Sequence, residues 1–233
     1  MHGPSMRIVS FITQKGGTGK STLAFNVAVA AAEAGETVVI FDLDKQGMCA
    51  RWGSVREGLQ AQAEEAGDTA RAAVLAQPHV EHVTPDILPR FAEQLKAVRG
   101  FSLAILDTKG EDSPAQRIAM QLATLNVVVM RPSRADAEMS WPTIDALRNS
   151  GRPWASALTQ CPAIPGNARA PEMATGLRKY GLLLEPLVLN RLEYQDAYAS
   201  GLGVTEQNSA GKAAAEMRTL WQSIKAYKKG KAE

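Results

Sequence analysis

A glycine-rich segment between a short apolar run and a helical stretch constrains this chain more than any other feature. Residues 14–22 read QKGGTGKST and directly follow the apolar run RIVSFIT at residues 7–13. Glycines let backbone N–H groups approach an anion without Cβ clashes, and the N-terminus of a helix carries a positive partial charge. A loop of this composition in a strand-to-helix turn therefore predicts a phosphate-binding site.

The end of this loop predicts the chemistry of that site. The general phosphate-loop pattern is Gly, four residues and then Gly-Lys-Ser/Thr, but Gln14 stands where the first Gly belongs. Lys20 is expected to neutralise the β and γ phosphate oxygens, and the Ser21 hydroxyl is expected to bind Mg²⁺. A glycine-rich turn with an incidental lysine is the alternative, but it leaves the matched Lys-Ser pair unexplained.

Short apolar runs alternate with helical stretches along the chain. Strands are predicted at residues 7–13, 37–43, 101–107, 125–131, 154–160 and 184–190. Helices are predicted at residues 20–34, 136–148 and 211–227, and residues 52–100 are predicted to be mostly helix with one short strand. Nearly continuous apolar strands are typical of a parallel sheet covered on both faces. We therefore predict an α/β fold of the P-loop NTPase type, with a mostly parallel twisted sheet and helices on both faces.

The composition is that of a globular protein. The 233 residues are 45% hydrophobic and carry a formal net charge of +2, so any nucleic-acid-binding surface must be local. We expect a single domain over residues 1–233, with residues 1–5 a possible tag or leader and no separate helix-turn-helix domain. No apolar run approaches the roughly 20 residues of a membrane span. Cys49 and Cys161 lack metal-ligand spacing, and a reduced, cytoplasmic setting is expected for them.

Acidic residues lie at the ends of two of the predicted strands. Asp42 and Asp44 lie at the end of the second strand, and Asp107 ends the run FSLAILD. The carboxyl ends of parallel strands lie along one edge of a sheet, where ligands bind in open α/β folds. Solvated strand-end acids are the simpler interpretation, but the nearby phosphate loop favours a Mg²⁺ role for Asp107.

These motifs resemble those of the ParA/MinD family of ATPases. KGGTGKST is similar to the deviant Walker A box of that family, in which a lysine at the position of Lys15 reaches across a dimer to the partner's nucleotide. The sequence DLDKQ resembles the family's D-x-D-x-Q box, although Lys45 replaces the usual proline. The resemblance implies that Asp44 orients the attacking water and that Asp42 helps to hold the Mg²⁺ shell. Lys109-Gly110 stands where the family commonly has two prolines.

The resemblance implies a full set of site residues. The expected catalytic residues are Lys15, Lys20 and Asp44, and the expected Mg²⁺ residues are Ser21, Asp42 and Asp107. The expected ATP-binding residues are Lys15, Gly16, Gly17, Thr18, Gly19, Lys20, Ser21 and Thr22, with Thr159 and Asn190 at the adenine.

The last predicted helix has a basic face. Met217, Leu220, Trp221 and Ile224 form its apolar stripe. Another face carries Arg218 and Lys225, with Lys229 following, and a solvated helix face is the simplest interpretation. Family members bind DNA nonspecifically through this region, so the resemblance implies duplex DNA as a partner of Arg218, Lys225 and Lys229.

Together these features predict an ATPase that binds ATP and Mg²⁺ and forms a homodimer with ATP. It would bind DNA nonspecifically, localise to the cytoplasm and nucleoid, and position a plasmid, chromosome or other cargo with a ParB-like activator or adaptor. A MinD-like ATPase on a membrane and a conjugative-transfer accessory ATPase are alternatives. An amidotransferase-type synthetase or a nitrogenase-reductase-like protein is a further class, but the chain lacks room for the extra domain of the first, and its cysteines suit the second poorly.

Overall fold

The computed structural model describes residues 6–84, 87–164 and 168–227. Within these residues, six parallel strands form one sheet in the order β3-β2-β4-β1-β5-β6. The strands are β1 (Arg7–Ile12), β2 (Val38–Asp42), β3 (His79–His82), β4 (Leu103–Asp107), β5 (Leu125–Met130) and β6 (Trp154–Leu158). The predicted parallel α/β fold is confirmed.

Helices connect the strands, as the alternating sequence pattern predicts. Their bounds are α1 (Lys20–Glu33), α2 (Met48–Glu65), α3 (Thr69–Leu75), α4 (Leu88–Ala97), α5 (Pro114–Leu122), α6 (Arg134–Asn149), α7 (Arg169–Arg178), α8 (Glu193–Ala199), α9 (Val204–Gln207) and α10 (Lys212–Ala226). Local sequence signals set several ends. Gly35, with a φ of 89°, follows the end of α1, and the Ser133 side chain accepts a hydrogen bond from the Asp136 N–H at the start of α6.

Helices cover both faces of the sheet. Alternate residues of β2 belong to different cores: Val38 and Ile40 pack with α1, α2 and α10, whereas Val39 and Phe41 pack with α4 and α5. Val128 of β5 packs with α6 and α7 on that second face. Two-sided burial explains why the strands are nearly continuous apolar runs.

The strand predicted at residues 184–190 is the main error in the sequence-based assignment. This segment runs beside β6, and Leu184 and Val188 donate backbone hydrogen bonds to Ser156 and Leu158. The pairing consists of isolated bridges at Leu183 and Leu189. Pro186 lies between these bridges and has no N–H to donate, so a continuous ladder does not form there.

The strand register brings the predicted acidic residues to one edge of the sheet. Asp107 of β4 pairs with Phe11 of β1 on one side and with Asp42 of β2 on the other. The loop that follows β1 therefore lies next to both carboxylates. This edge carries the candidate site.

Candidate functional site

The loop between β1 and α1 has the conformation of an anion cradle. Gly17 and Gly19 have φ angles of 73° and 82°, which a residue with a Cβ rarely adopts. Gly19 is the N-cap of α1 and supplies no side-chain cap, so the N–H groups of the first helical turn remain for a ligand. The local geometry thus fits a phosphate group.

A pocket of about 440 Å³ lies over this loop. Its lining residues are Thr13, Lys15, Gly16, Gly17, Thr18, Gly19, Lys20, Ser21, Thr22, Asp44, Gln46, Met48, Lys109, Gly110, Glu111 and Gln160. The predicted phosphate-loop residues therefore share one pocket with Asp44. A larger cavity of about 700 Å³, lined by Arg7 and Tyr227 among others, lies at the amino ends of the strands and contains none of these residues.

Lys20 links the phosphate loop to the end of β4. Its side chain is 6% exposed, and its Nζ lies 2.5 Å from Asp107 Oδ1 and donates to Ser21 Oγ over 3.3 Å. The ammonium group is thus held beside the first turn of α1, where a β or γ phosphate would lie. The predicted Lys20, Ser21 and Asp107 form one contact group.

Asp42 is a fully buried carboxylate beside Asp107. Its two oxygens accept hydrogen bonds from the N–H groups of Asp44 and Ala50, at 3.0 and 2.9 Å. Burial, with the neighbouring Asp107 charge, raises the pKa of Asp42 to about 6 despite these hydrogen bonds. A divalent cation at this position would offset the crowding of negative charge.

Cys49 completes the buried cluster and was not predicted from the sequence. Its thiol donates to Asp107 Oδ2 over 3.2 Å, and ligand atoms of Asp42, Cys49 and Asp107 lie within 4.8 Å of one another. Burial and the two carboxylates raise the pKa of Cys49 well above its usual value, so the thiol remains a donor. The contact depends on the packing of α2 against β2 and β3 beside the end of β4, which cysteine spacing along the chain does not reveal.

The residues present fit Mg²⁺. Ser21, Asp42 and Asp107 supply one hydroxyl and two carboxylates, the hard oxygen ligands that Mg²⁺ prefers. The two buried carboxylates lie beside the ammonium group of Lys20, which balances one of their negative charges, so a further positive charge is electrostatically favourable there. When bound, Mg²⁺ would neutralise phosphate charge.

Asp44 lies in the pocket wall, in the turn between β2 and α2. Its Oδ1 accepts a hydrogen bond from the Gln46 N–H over 2.9 Å, and its carbonyl oxygen lies 3.1 Å from His82 Nε2. The side chain is half-buried and shares the pocket with the phosphate loop. This position suits the predicted role in orienting water.

Lys15 is paired within the same chain. Its Nζ lies 3.1 Å from Asp136 Oδ1 in the first turn of α6, and Arg131 Nε binds the other oxygen of that carboxylate at 2.7 Å. Burial opposes ionisation of Asp136, but hydrogen bonds from Arg131 and Lys15 outweigh it and hold the pKa below its usual value. Neither Arg131 nor Asp136 was singled out from the sequence.

The end of β6 fixes the phosphate loop from the other side. The Thr159 hydroxyl donates to the Thr18 carbonyl over 2.5 Å, and Gln160 Nε2 donates to the Gly17 carbonyl over 2.8 Å. Gln160 has a φ of 49°, which is uncommon for a residue with a side chain. Thr159 was predicted at the adenine, and in the structure its hydroxyl supports the loop.

A second pocket of about 330 Å³ adjoins the phosphate pocket. Its lining residues are Gly19, Thr22, Leu23, Thr159, Gln160, Val188, Leu189, Asn190, Arg191, Tyr194 and Gln195. Gly19, Thr22 and Gln160 also line the phosphate pocket, so the two pockets are contiguous. The predicted adenine residues Thr159 and Asn190 thus line one pocket, which directly adjoins the phosphate loop.

The basic residues predicted to bind DNA lie on α10 and are paired with acids. Arg218 Nε lies 3.1 Å from Glu33 Oε2, and Lys225 Nζ lies 2.9 Å from Glu36 Oε1. Both acids come from the end of α1 and the turn after it. Lys229 lies outside the described residues. Along residues 6–84, 87–164 and 168–227, no helix is both long and apolar enough to cross a bilayer.

Comparisons with known proteins identify similar ATPases and positioning proteins. The family described as "ATPase MipZ" matches residues 7–148. The "Maintenance of carboxysome distribution protein A" of Gloeobacter kilaueensis is 34% identical over 146 residues, which are 61% of this chain and 58% of that protein. The "Chromosome partitioning protein ParA" of Caulobacter vibrioides is 43% identical over 49 residues, 21% of this chain and 18% of that protein. The chain thus aligns with less than two thirds of either relative.

The fold also matches that of a protein of known structure. The cell division ATPase MinD of Pyrococcus furiosus superposes with a TM-score of 0.70 at 18% identity, covering 95% of this chain and 99% of that structure. The family match includes the phosphate loop and both strand-end acidic motifs. This chain belongs to the MipZ family of ATPases, within the ParA/MinD group.

Proposed function

We propose that this protein is a positioning switch driven by ATP. It binds ATP with Mg²⁺, closes as a homodimer, attaches to duplex DNA without sequence preference, and hydrolyses ATP slowly until a partner accelerates the reaction. The convergence of Lys15, Lys20, Asp42, Asp44 and Asp107 at one sheet edge carries the proposal.

Each of these residues has a separate role in phosphoryl transfer. Lys20 neutralises phosphate charge, and the buried Asp107 orients that ammonium group through their ion pair. Asp44, which lines the same pocket, orients the attacking water. Lys15 leaves Asp136 and supplies a second cation to the nucleotide of the partner subunit, as in the family.

The relatives support cargo positioning. The first relative is named for the maintenance of carboxysome distribution, and the second is named for chromosome partitioning. For this chain we propose a cytoplasmic, nucleoid-associated protein that works with a ParB-like activator or a cargo adaptor. The cargo would then be a plasmid, a chromosome, a conjugative-transfer complex or an organelle.

Asp44→Ala tests the switch. The variant should bind Mg-ATP and accumulate as an ATP-bound dimer, because the phosphate contacts remain while water orientation is lost. Size-exclusion chromatography with light scattering measures the dimer, and binding to random-sequence duplex DNA and to anionic liposomes is then compared for that species.

Lys20→Ala is the matched control. It should lose ATP binding and therefore the dimer, because the ammonium group beside the phosphates is removed. An Asp44→Ala protein that stays monomeric with ATP would contradict the switch. Liposome binding without DNA binding would move the protein to the MinD-like class.

A further inference from the structure

The segment after β4 forms one wall of the phosphate pocket and lies directly on the phosphate loop. A Cβ placed on Gly110 would lie 3.0 Å from the Lys15 carbonyl oxygen and 3.1 Å from the Gly16 N and Cα atoms. Such distances are shorter than ordinary van der Waals contacts, so a side chain at residue 110 would push the two backbones apart by a few tenths of an ångström. The backbone at Gly110 therefore packs closely against the phosphate loop at Lys15 and Gly16.

Buried polar contacts fix that wall in place. The Thr108 hydroxyl donates to the Phe11 carbonyl over 3.1 Å. Gln116 is 1% exposed, and with its amide nitrogen towards the loops it donates to the carbonyls of Thr13 and Glu111 at 3.1 and 2.9 Å. The loop after β1 and the loop after β4 thus share one buried amide.

On this fixed wall, Lys109 faces the pocket as part of an ion pair. Its Nζ lies 2.5 Å from Glu111 Oε1, with side chains 41% and 55% exposed, and both residues line the pocket together with Asp44 and Lys20. The resemblance to ParA/MinD proteins accounts for Lys15 and Lys20 but not for this cation, since the family commonly has a proline there. Lys109 is therefore a pocket cation without an assigned role.

We propose that Lys109 is a further binding residue for the terminal phosphate of ATP, and that Glu111 holds its ammonium group until that phosphate arrives. The proposal rests on the proposed ATP function of the same pocket. The terminal phosphate carries more negative charge than one carboxylate, and an exposed Lys–Glu pair contributes little to stability. Exchange of Glu111 for phosphate is therefore favourable, and it occurs in the same subunit, unlike the predicted action of Lys15.

The exchange predicts discrimination between ATP and ADP. Lys109→Gln should weaken binding of a non-hydrolysable ATP analogue about tenfold, as expected for loss of one charge-assisted contact, and ADP binding about twofold or less. Glu111→Gln should strengthen binding of the ATP analogue, because Lys109 is then free to contact phosphate. Titration calorimetry with Mg²⁺ and each nucleotide measures the two affinities.

Three controls make the result specific. Lys45→Gln removes an exposed lysine that lies between the pocket residues Asp44 and Gln46 but does not itself line the pocket, and it should leave both affinities unchanged. Lys109→Arg keeps a cation and should retain most of the discrimination. The double variant Lys109→Gln/Glu111→Gln should match Lys109→Gln, because Glu111 acts through Lys109.

Two outcomes would overturn the proposal. Equal losses for the ATP analogue and ADP would show that Lys109 only supports the loop. Unchanged affinity for both would show that it does not contact the phosphate. Lys20→Ala distinguishes failure of the Lys109 proposal from failure of the proposed ATP site. A Lys20→Ala protein that still binds both nucleotides would refute the ATP site itself.

Discussion

At the scale of single residues, the site concentrates buried charge. Asp42 and Asp107 are fully buried neighbours, and Lys20 is the cation in contact with Asp107. Burying ionised groups without full compensation is unfavourable, so such clusters are retained for binding more than for stability. This imbalance makes the stability of the protein depend on pH.

Lowering the pH from about 7 to 5 should stabilise the protein in the absence of Mg²⁺ and nucleotide. The pKa of Asp42 is raised to about 6 from 3.8, so between these values the folded state binds the proton more tightly than the unfolded state. A tenfold difference in proton affinity corresponds to roughly 1.4 kcal/mol, and the gain develops as the pH falls through 6. Urea unfolding of the wild type and of Asp42→Asn measures it, and the difference in unfolding free energy between them should change over this range. A constant difference would contradict the raised pKa.

Gly110→Ala should weaken nucleotide binding, because the added methyl group meets the backbone of Lys15 and Gly16. We expect a loss on the order of tenfold in ATP affinity, which corresponds to about 1.4 kcal/mol. Gly58→Ala is the matched control, since its Cβ meets nothing within 4 Å in the middle of α2 and alanine favours a helix. Fluorescent-nucleotide titration compares the two, and equal affinities would refute the steric argument.

At the scale of secondary-structure elements, α6 controls the position of Lys15. Asp136 in the first turn of α6 is 2% exposed and binds both Lys15 and Arg131. The Ser133 N-cap holds the same turn. Any action of Lys15 on a partner subunit therefore requires this intrachain contact to break.

Lys15→Gln should bind ATP but fail to form the ATP-dependent dimer or to hydrolyse ATP. Asp136→Asn should have the opposite effect. This variant should dimerise with ATP at a lower protein concentration than the wild type, because the loss of the Asp136 negative charge releases Lys15. Light scattering over a concentration series with Mg-ATP measures both. If Lys15→Gln dimerises and turns over ATP like the wild type, the proposed role in the partner's site fails.

At the scale of the whole molecule, α10 packs against α1. The basic residues of α10 form ion pairs with acidic residues at the end of α1 and in the turn after it. Arg218 binds Glu33, and Lys225 binds Glu36. The formal net charge of one subunit is only +2, and both of these cations are paired with acids, so a single subunit should bind DNA weakly. We therefore expect DNA binding to depend on two copies of the α10 surface in a dimer.

Replacing Arg218 and Lys225 with Glu should abolish DNA binding of the Asp44→Ala dimer while ATP-dependent dimerisation persists. Glu33→Gln and Glu36→Gln should increase DNA affinity, because they free the paired cations. The logarithm of the affinity should fall by about 0.9 per tenfold increase in salt for each phosphate contacted. Fluorescence anisotropy on random-sequence duplexes over a salt series measures these effects. Unchanged DNA binding by the Arg218→Glu/Lys225→Glu protein would exclude this surface.

Local signals account for the part of the structure that the sequence could predict. These signals are the β-branched runs, the glycines at residues 16–19 and the strand-end acids Asp42 and Asp107. Each depends on residues that are near neighbours in the chain, so the sequence pattern reveals it. They predicted the parallel fold and the phosphate loop. The pattern at residues 184–190 also resembled a strand, but Pro186 and the edge position beside β6 interrupted its pairing.

Tertiary structure alone decided which distant side chains meet. The contacts of Cys49 with Asp107, of Lys15 with Asp136 and of Gln160 with Gly17 join residues 58, 121 and 143 positions apart. Each contact depends on strand order and on helix packing against the sheet. The hydrophobic periodicity of a single helix or strand does not specify either of these. The sequence by itself therefore determined most of the elements and the phosphate loop, whereas the position of β1 between β4 and β5 decided that Lys20 meets Asp107 and that Lys15 meets Asp136.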